Sequence, residues 1–165
     1  MIHVEAGGAR LLALYDRALP EVYGYLLARC GDRGVAEDLT SATFLAACSA
    51  PPDGDLSTAW LIGVARHKLV DHWRWRDRQE RLAEAVGPGD TVDDPWDAEL
   101  DALTARSVLE RLGGHHRAAL TLRYLDGLTV PETAAVLQRT VHATEALLVR
   151  ARKAFRAHYE EACRG

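Results

Sequence analysis

At 165 residues the chain is long enough for one ordinary domain or two small ones, and length alone does not choose between them. Hydrophobic residues make up 48% and charged residues 27%, a balance that excludes a disordered chain. A formal net charge of −4 excludes a uniformly basic protein, but it leaves room for basic faces when the charges are segregated along the chain.

They are segregated. Lys and Arg gather at Arg66 to Arg81 and again at Arg139 to Arg156, whereas Asp90, Asp93, Asp94, Asp97, Glu99 and Asp101 form a stretch without a cation. Cys30, Cys48 and Cys163 lie far apart and form no C-x-x-C pair, which fits a reducing cytoplasm and neither a disulfide framework nor a thiolate zinc site. No basic-then-apolar leader opens the sequence and no run approaches the ~20 apolar residues of a membrane span. A cytoplasmic location and no membrane partner are therefore expected.

In chain order, Leu11, Leu12, Leu14, Tyr15, Leu19, Val22, Tyr23, Leu26 and Leu27 recur at helical spacing, predicting a first helix that Gly31 stops. A second helix is predicted from about Val35 to Cys48, burying Leu39, Phe44 and Leu45. The Pro-rich loop after Ser49 ends it. Thr58 then opens a long third helix with Trp60, Leu61, Val64, Leu69 and Val70 on or near its apolar face, turning strongly polar after Asp71. The segment from Val86 to Trp96 combines helix breakers with like charges and reads as an extended, solvated connector.

Downstream, helices are predicted at about Ala98 to Leu112, His115 to Leu125, Val130 to Leu137, and Val141 to Glu161. Asp126-Gly127 marks a turn. Thr129 and Glu132 match a capping box, and Thr140 is placed to cap the last helix after the tight turn Gln138-Arg139-Thr140. Leu148, Ala151, Phe155 and Tyr159 form a stripe for packing on the shorter helix. Short helix, tight turn and long basic helix outline a helix-turn-helix. No stretch alternates with period two, so the fold class is all-α. Two small helical domains, residues 1–86 and 98–165, are joined by an acidic flexible linker, 87–97, and the C-terminal domain is the helix-turn-helix.

The chemistry lies in the two basic clusters. On the last helix, Arg150, Arg152, Lys153 and Arg156 flank the apolar stripe, with Arg139 in the turn before it. Such cations set phosphate register, while residues at the helix N-terminus, here His142, Ala143, Glu145 and Ala146, meet base edges. A carboxylate such as Glu145 accepts from a cytosine amino group. In the first cluster, Arg66 to Arg78 interleaves cations with aromatics, which suits unpaired bases. Trp73 and Trp75 lie two apart and cannot share a helical face, so one of them is expected to pack against protein. His67 and Asp71, and the pair His115 and His116, come with no H-E-x-x-H, second ligand pair or nucleophile motif, so no metal, cofactor or enzymatic site is expected.

Taken in order, four stretches resemble the extracytoplasmic-function (ECF) sigma factors of RNA polymerase. Leu14 to Leu26 resembles the family's opening helix. Ala36 to Leu45, with Glu37-Asp38-Leu39, resembles the stretch that docks on the polymerase clamp. Ala59 to Arg74 resembles the helix that opens and reads the minus-10 promoter element. Leu120 to Leu137, continuing into Val149 to Phe155, resembles the domain that binds the minus-35 element. The resemblance implies a non-catalytic protein whose partners are core RNA polymerase and promoter DNA, and it leaves room for an anti-sigma factor.

On this resemblance, polymerase binding falls to Glu37, Asp38, Leu39 and Phe44. The minus-10 element falls to the loop from Ser49 to Ser57 and to Trp60, Arg66, His67, Lys68, Asp71, Arg74, Arg76 and Arg78. The minus-35 element falls to Arg139, Thr140, His142, Ala143, Glu145, Ala146, Arg150 and Lys153. The acidic connector resembles the linker that threads the polymerase channels. Departures stand at Ser41 and Ala42, where the family has glutamine and glutamate, and at Cys48, where tryptophan is frequent. Gly113-Gly114 replaces leucine-proline and is expected to loosen that junction. The run from His142 to Leu147 has fewer cations than the family's, so the family's minus-35 sequence does not transfer. The alternative is a stand-alone helix-turn-helix regulator whose N-terminal helices sense a ligand or dimerise.

Overall fold

Helices account for the regular structure of the computed structural model, which describes residues 2–81 and 100–165, with side chains over 7–80 and 100–165; no strand occurs among them. The predicted linker 87–97 lies outside the described residues. Packing divides the chain into two units, Met1–Asp71 and His72–Gly165.

In the first unit, α1 (Ile2–Cys30) and α2 (Arg33–Ser49) pack together, followed by α3 (Thr58–Arg81), whose residues up to Asp71 belong to this unit. Leu11, Leu14, Ala18, Val22 and Leu26 are buried at steps of three and four, the stripe that the α-helical period puts on one face. Ala36, Leu39, Thr43, Phe44 and Ala47 are buried on α2, and Leu61, Ala65 and Leu69 on α3. Removing each large side chain from water contributes about 1.5–3 kcal/mol.

Gly31 ends α1 at φ +72°, a left-handed conformation that glycine adopts without a Cβ clash. Asp32 then caps α2, its Oδ1 accepting from the Val35 N–H at 2.9 Å. The buried hydroxyls of Thr40 and Thr43 donate to the Ala36 and Leu39 carbonyls at 2.7 Å, so neither is left unpaired. Leu45 is not buried as predicted. It is 67% exposed, because the buried stripe on α2 runs through Leu39, Thr43 and Ala47 and the next position after Phe44 turns to solvent.

In the second unit, α7 (Val141–Arg164) packs on α4 (Ala102–Arg111), α5 (Gly114–Leu120) and α6 (Val130–Leu137). Leu148, Ala151 and Phe155 are buried as the stripe required, and Tyr159 stacks on Phe155 with centroids 5.8 Å apart. The helix predicted over His115 to Leu125 is two elements, α5 and a π-helical turn at Thr121–Leu125. α4 starts at Ala102, later than the predicted Ala98, because Asp101 caps it. Hydrogen bonds from the Thr104 hydroxyl and N–H, at 2.7 and 2.8 Å, hold the Asp101 carboxyl below its ordinary value of 3.8.

Candidate nucleic-acid interface

The α6–turn–α7 unit is set by local hydrogen bonds. Thr129 Oγ1 accepts from the Glu132 N–H at 3.3 Å and the Thr129 N–H donates to Glu132 Oε2 at 2.7 Å, completing the predicted capping box. Gln138 reverses the chain at φ +53°, and the Arg139 N–H returns to the Ala134 carbonyl at 3.0 Å. Thr140 Oγ1 then caps α7 by accepting from the Ala143 N–H at 3.1 Å. Thr144, Leu147 and Leu148 turn into the core, which leaves Arg139, Thr140, His142, Glu145, Arg150 and Lys153 exposed and Ala143 and Ala146 half-buried. The eight residues expected to meet the minus-35 element thus share the start and outer side of one helix. Small alanines between the longer groups let a flat partner approach closely.

The predicted minus-10 residues separate more. Trp60 is half-buried, its backbone N–H donating to Ser57 Oγ at 3.2 Å, so the loop before α3 also caps that helix. His67, Asp71, Arg76 and Arg78 are exposed, and Arg66, Lys68 and Arg74 are half-buried. The two tryptophans divide as the helical period demands. Trp73 is 1% exposed, whereas Trp75 is 52% exposed and stacked with His72 at 6.3 Å between centroids.

Sequence reasoning missed a cluster around Trp73. Asp77, within the run Arg76-Asp77-Arg78, is buried and accepts from the N–H groups of Gly114 and of His115, the latter at 2.8 Å. His115 Nε2 also lies 3.5 Å from its carboxylate, an ion pair when the imidazole is protonated. The buried Arg117 guanidinium lies over the Trp73 ring at 4.9 Å, and an Arg74 Nη donates to the Leu137 carbonyl at the end of α6. Gly113-Gly114 therefore does not loosen the chain. A Cβ on Gly114 would stand 2.8 Å from the Trp73 carbonyl carbon and closer still to its oxygen, so glycine is what allows this approach. The one signal in the sequence was a lone carboxylate amid cations.

Residues 14–79 match the family model Sigma-70 region 2, and residues 103–155 match Sigma-70, region 4. The chain is 34% identical over 151 residues to the ECF RNA polymerase sigma factor BldN of Streptomyces coelicolor, covering 84% of this chain and 56% of that protein. It is 30% identical over 159 residues to the ECF RNA polymerase sigma factor SigC of Mycobacterium tuberculosis, covering 93% of this chain and 86% of SigC. The chain belongs to the ECF sigma factors. In fold it is similar to a chain in the co-crystal structure of the sigma factor RpoE with the anti-sigma factor NepR from Bartonella quintana, with TM-score 0.54, 21% identity, and coverage of 93% and 96%.

As a sigma factor the protein directs promoter recognition by RNA polymerase. A stand-alone regulator has no need of region 2, so the match over residues 14–79 favours the sigma reading over that alternative. Within region 2, the ECF factor exposes Glu37 and Asp38 on α2 but buries Leu39 and Phe44, Phe44 meeting Tyr15 edge-on at 5.0 Å. Leu39 and Phe44 therefore hold α2 in place rather than offering themselves to a partner. Leu45, at the helical repeat from Glu37 and Ser41, is the apolar group that this face does present. An open groove of about 370 Å³ lies where Glu37 and Ser41 meet α1, lined by Leu19, Pro20, Tyr23, Glu37, Thr40 and Ser41. Among the described residues, no helix is long and apolar enough to cross a membrane, and no group of three His, Cys, Asp or Glu side chains is placed to hold a metal.

Proposed function

We propose that this sigma factor divides its tasks between modules at residues 1–86 and 98–165, with 87–97 as an acidic connector. Core polymerase docks on the α2 face of Glu37, Asp38 and Leu45, anchored from beneath by Leu39 and Phe44. The minus-10 element meets the loop from Ser49 to Ser57 and α3 through Trp60, Arg66, His67, Lys68, Asp71, Arg74, Arg76 and Arg78. Captured bases stack on aromatic faces while arginines take phosphates, and binding energy holds the strands apart. Phosphodiester synthesis stays with the polymerase, which makes this a cytoplasmic protein without a reaction of its own.

The minus-35 element meets α7. The supporting observation is its exposed first turns, where His142 and Glu145 stand beyond the Thr140 cap and Arg150 and Lys153 follow one to two turns later. An anti-sigma factor is a further partner, supported by the capture of RpoE with NepR. Runoff transcription with purified core polymerase over a genomic DNA library tests the whole reading. Start sites are expected to share one two-part motif; transcripts independent of the added chain would refute it.

A further inference from the structure

The loop between α2 and α3 is held from outside. Among the described residues no backbone–backbone hydrogen bond lies within residues 51–56, so the loop does not fix its own shape. Pro51 and Pro52 stiffen its first half, whereas Gly54 gives the second half no side chain to pack. Two residues of α1, three apart and so on one helical face, supply the missing restraint. Gly7 lies against the Pro51 ring, where a Cβ would stand 3.1 Å from Cγ, and an Arg10 Nη donates to the Gly54 carbonyl at 3.0 Å. Asp53 is exposed between these two held points. The same guanidinium lies 3.9 Å from Asp55, adding a cation to a loop that carries two carboxylates and none of its own. That ion pair is exposed and contributes little by itself, so the directed bond to Gly54 is what sets position.

We propose that Arg10, with Gly7 against Pro51, is a positioning residue for minus-10 selectivity, holding the loop so that the Asp53 carboxylate stands in one place before a base edge. This rests on the reading of the loop from Ser49 to Ser57 as a minus-10 contact. Base amino groups donate and a carboxylate only accepts, so Asp53 discriminates between bases by where it stands. A loop that wanders presents it to several edges about equally. Arg10 itself meets no base. Its substitution therefore alters which base is preferred and leaves affinity for core polymerase, carried by α2, as in the parent.

Runoff transcription by core polymerase with the full-length chain reads the effect, on a promoter recovered from the genomic library and carrying each base in turn across its minus-10 element. Asp53→Ala first marks the position that the loop reads, as the one where base preference changes. At that position Arg10→Ala is expected to lower the ratio of the best to the next-best base about fivefold, with the other positions unchanged. Arg10→Lys, which keeps a donor for the Gly54 carbonyl, is expected to restore most of the preference. Gly7→Ala, which pushes on Pro51, is expected to blunt it at the same position. Binding of the labelled chain to core polymerase, followed by fluorescence anisotropy, is expected to be unchanged in all of them. An intact preference in Arg10→Ala overturns the brace, and so does a loss shared by every base and by polymerase binding, which marks a general structural defect. If Asp53→Ala changes preference at no position, the loop is not a minus-10 contact and the brace falls with that reading.

Discussion

The α6–α7 turn and the end of α3 are both fixed by hydrogen bonds to helix termini, but the bonds span different distances along the chain. Thr129 and Glu132, and Thr140 and Ala143, are three residues apart. Asp77 reaches 37 residues to Gly114, and Arg74 reaches 63 to Leu137. A local cap forms whenever its helix forms, because it closes almost no loop. A distant one forms only when the intervening chain has been ordered, so it is conditional on the tertiary fold.

Breaking the shared base of both regions has the largest effect. Phe155→Ala removes a buried ring from α7 and is expected to destabilise the second unit by about 3–5 kcal/mol in urea denaturation, loosening the turn and the anchored end of α3 together. Asp77→Ala separates them. It leaves two N–H groups without their acceptor, one of them in a buried glycine, and is expected to cost about 1–3 kcal/mol while the exchange of the α6–α7 turn stays as in the parent. Thr129→Ala is the mirror experiment. Loss of the capping box is expected to cost about 1 kcal/mol and to raise exchange at the Glu132 amide, leaving the Gly114 amide protected.

Smaller effects sharpen the contrast on the surface. Arg150→Ala is expected to weaken minus-35 binding evenly across sequences and to lower the slope of log affinity against log salt by about one, measured by titration at several salt concentrations. Smallest is the pH dependence at the α4 cap. The folded Asp101 carboxyl titrates below 3.8, so its contribution is complete above the unfolded value and is lost as pH falls through the lower folded one. Acid-range exchange at the Thr104 amide is expected to rise there in the parent, and in Asp101→Asn to show no such step.

Much of this fold was legible because its signals are short-range. The capping box, the Thr140 cap, the buried stripe of Leu148, Ala151 and Phe155, and the split of Trp73 from Trp75 all follow from helical spacing and cap chemistry. Leu45 departs from the expected burial because adjacent apolar residues do not share a helical face: Phe44 and Leu45 point about 100° apart. The role of Asp77 and Gly114 was illegible for a different reason. Nothing within a turn of either residue names its partner, and a Gly-Gly pair reads as slack unless one knows which backbone lies against it. Leu39 and Phe44 teach a related lesson, since a motif names the helix that carries a contact without saying which of its residues face outward.

Permanganate footprinting at promoters recovered from the transcription library asks whether this chain gives core polymerase the power to open DNA at the minus-10 element. Thymines around the minus-10 element are expected to become reactive only when core polymerase and this chain are both present. Reactivity that ignores the chain, or its absence at every template from which the two together initiate, would contradict it.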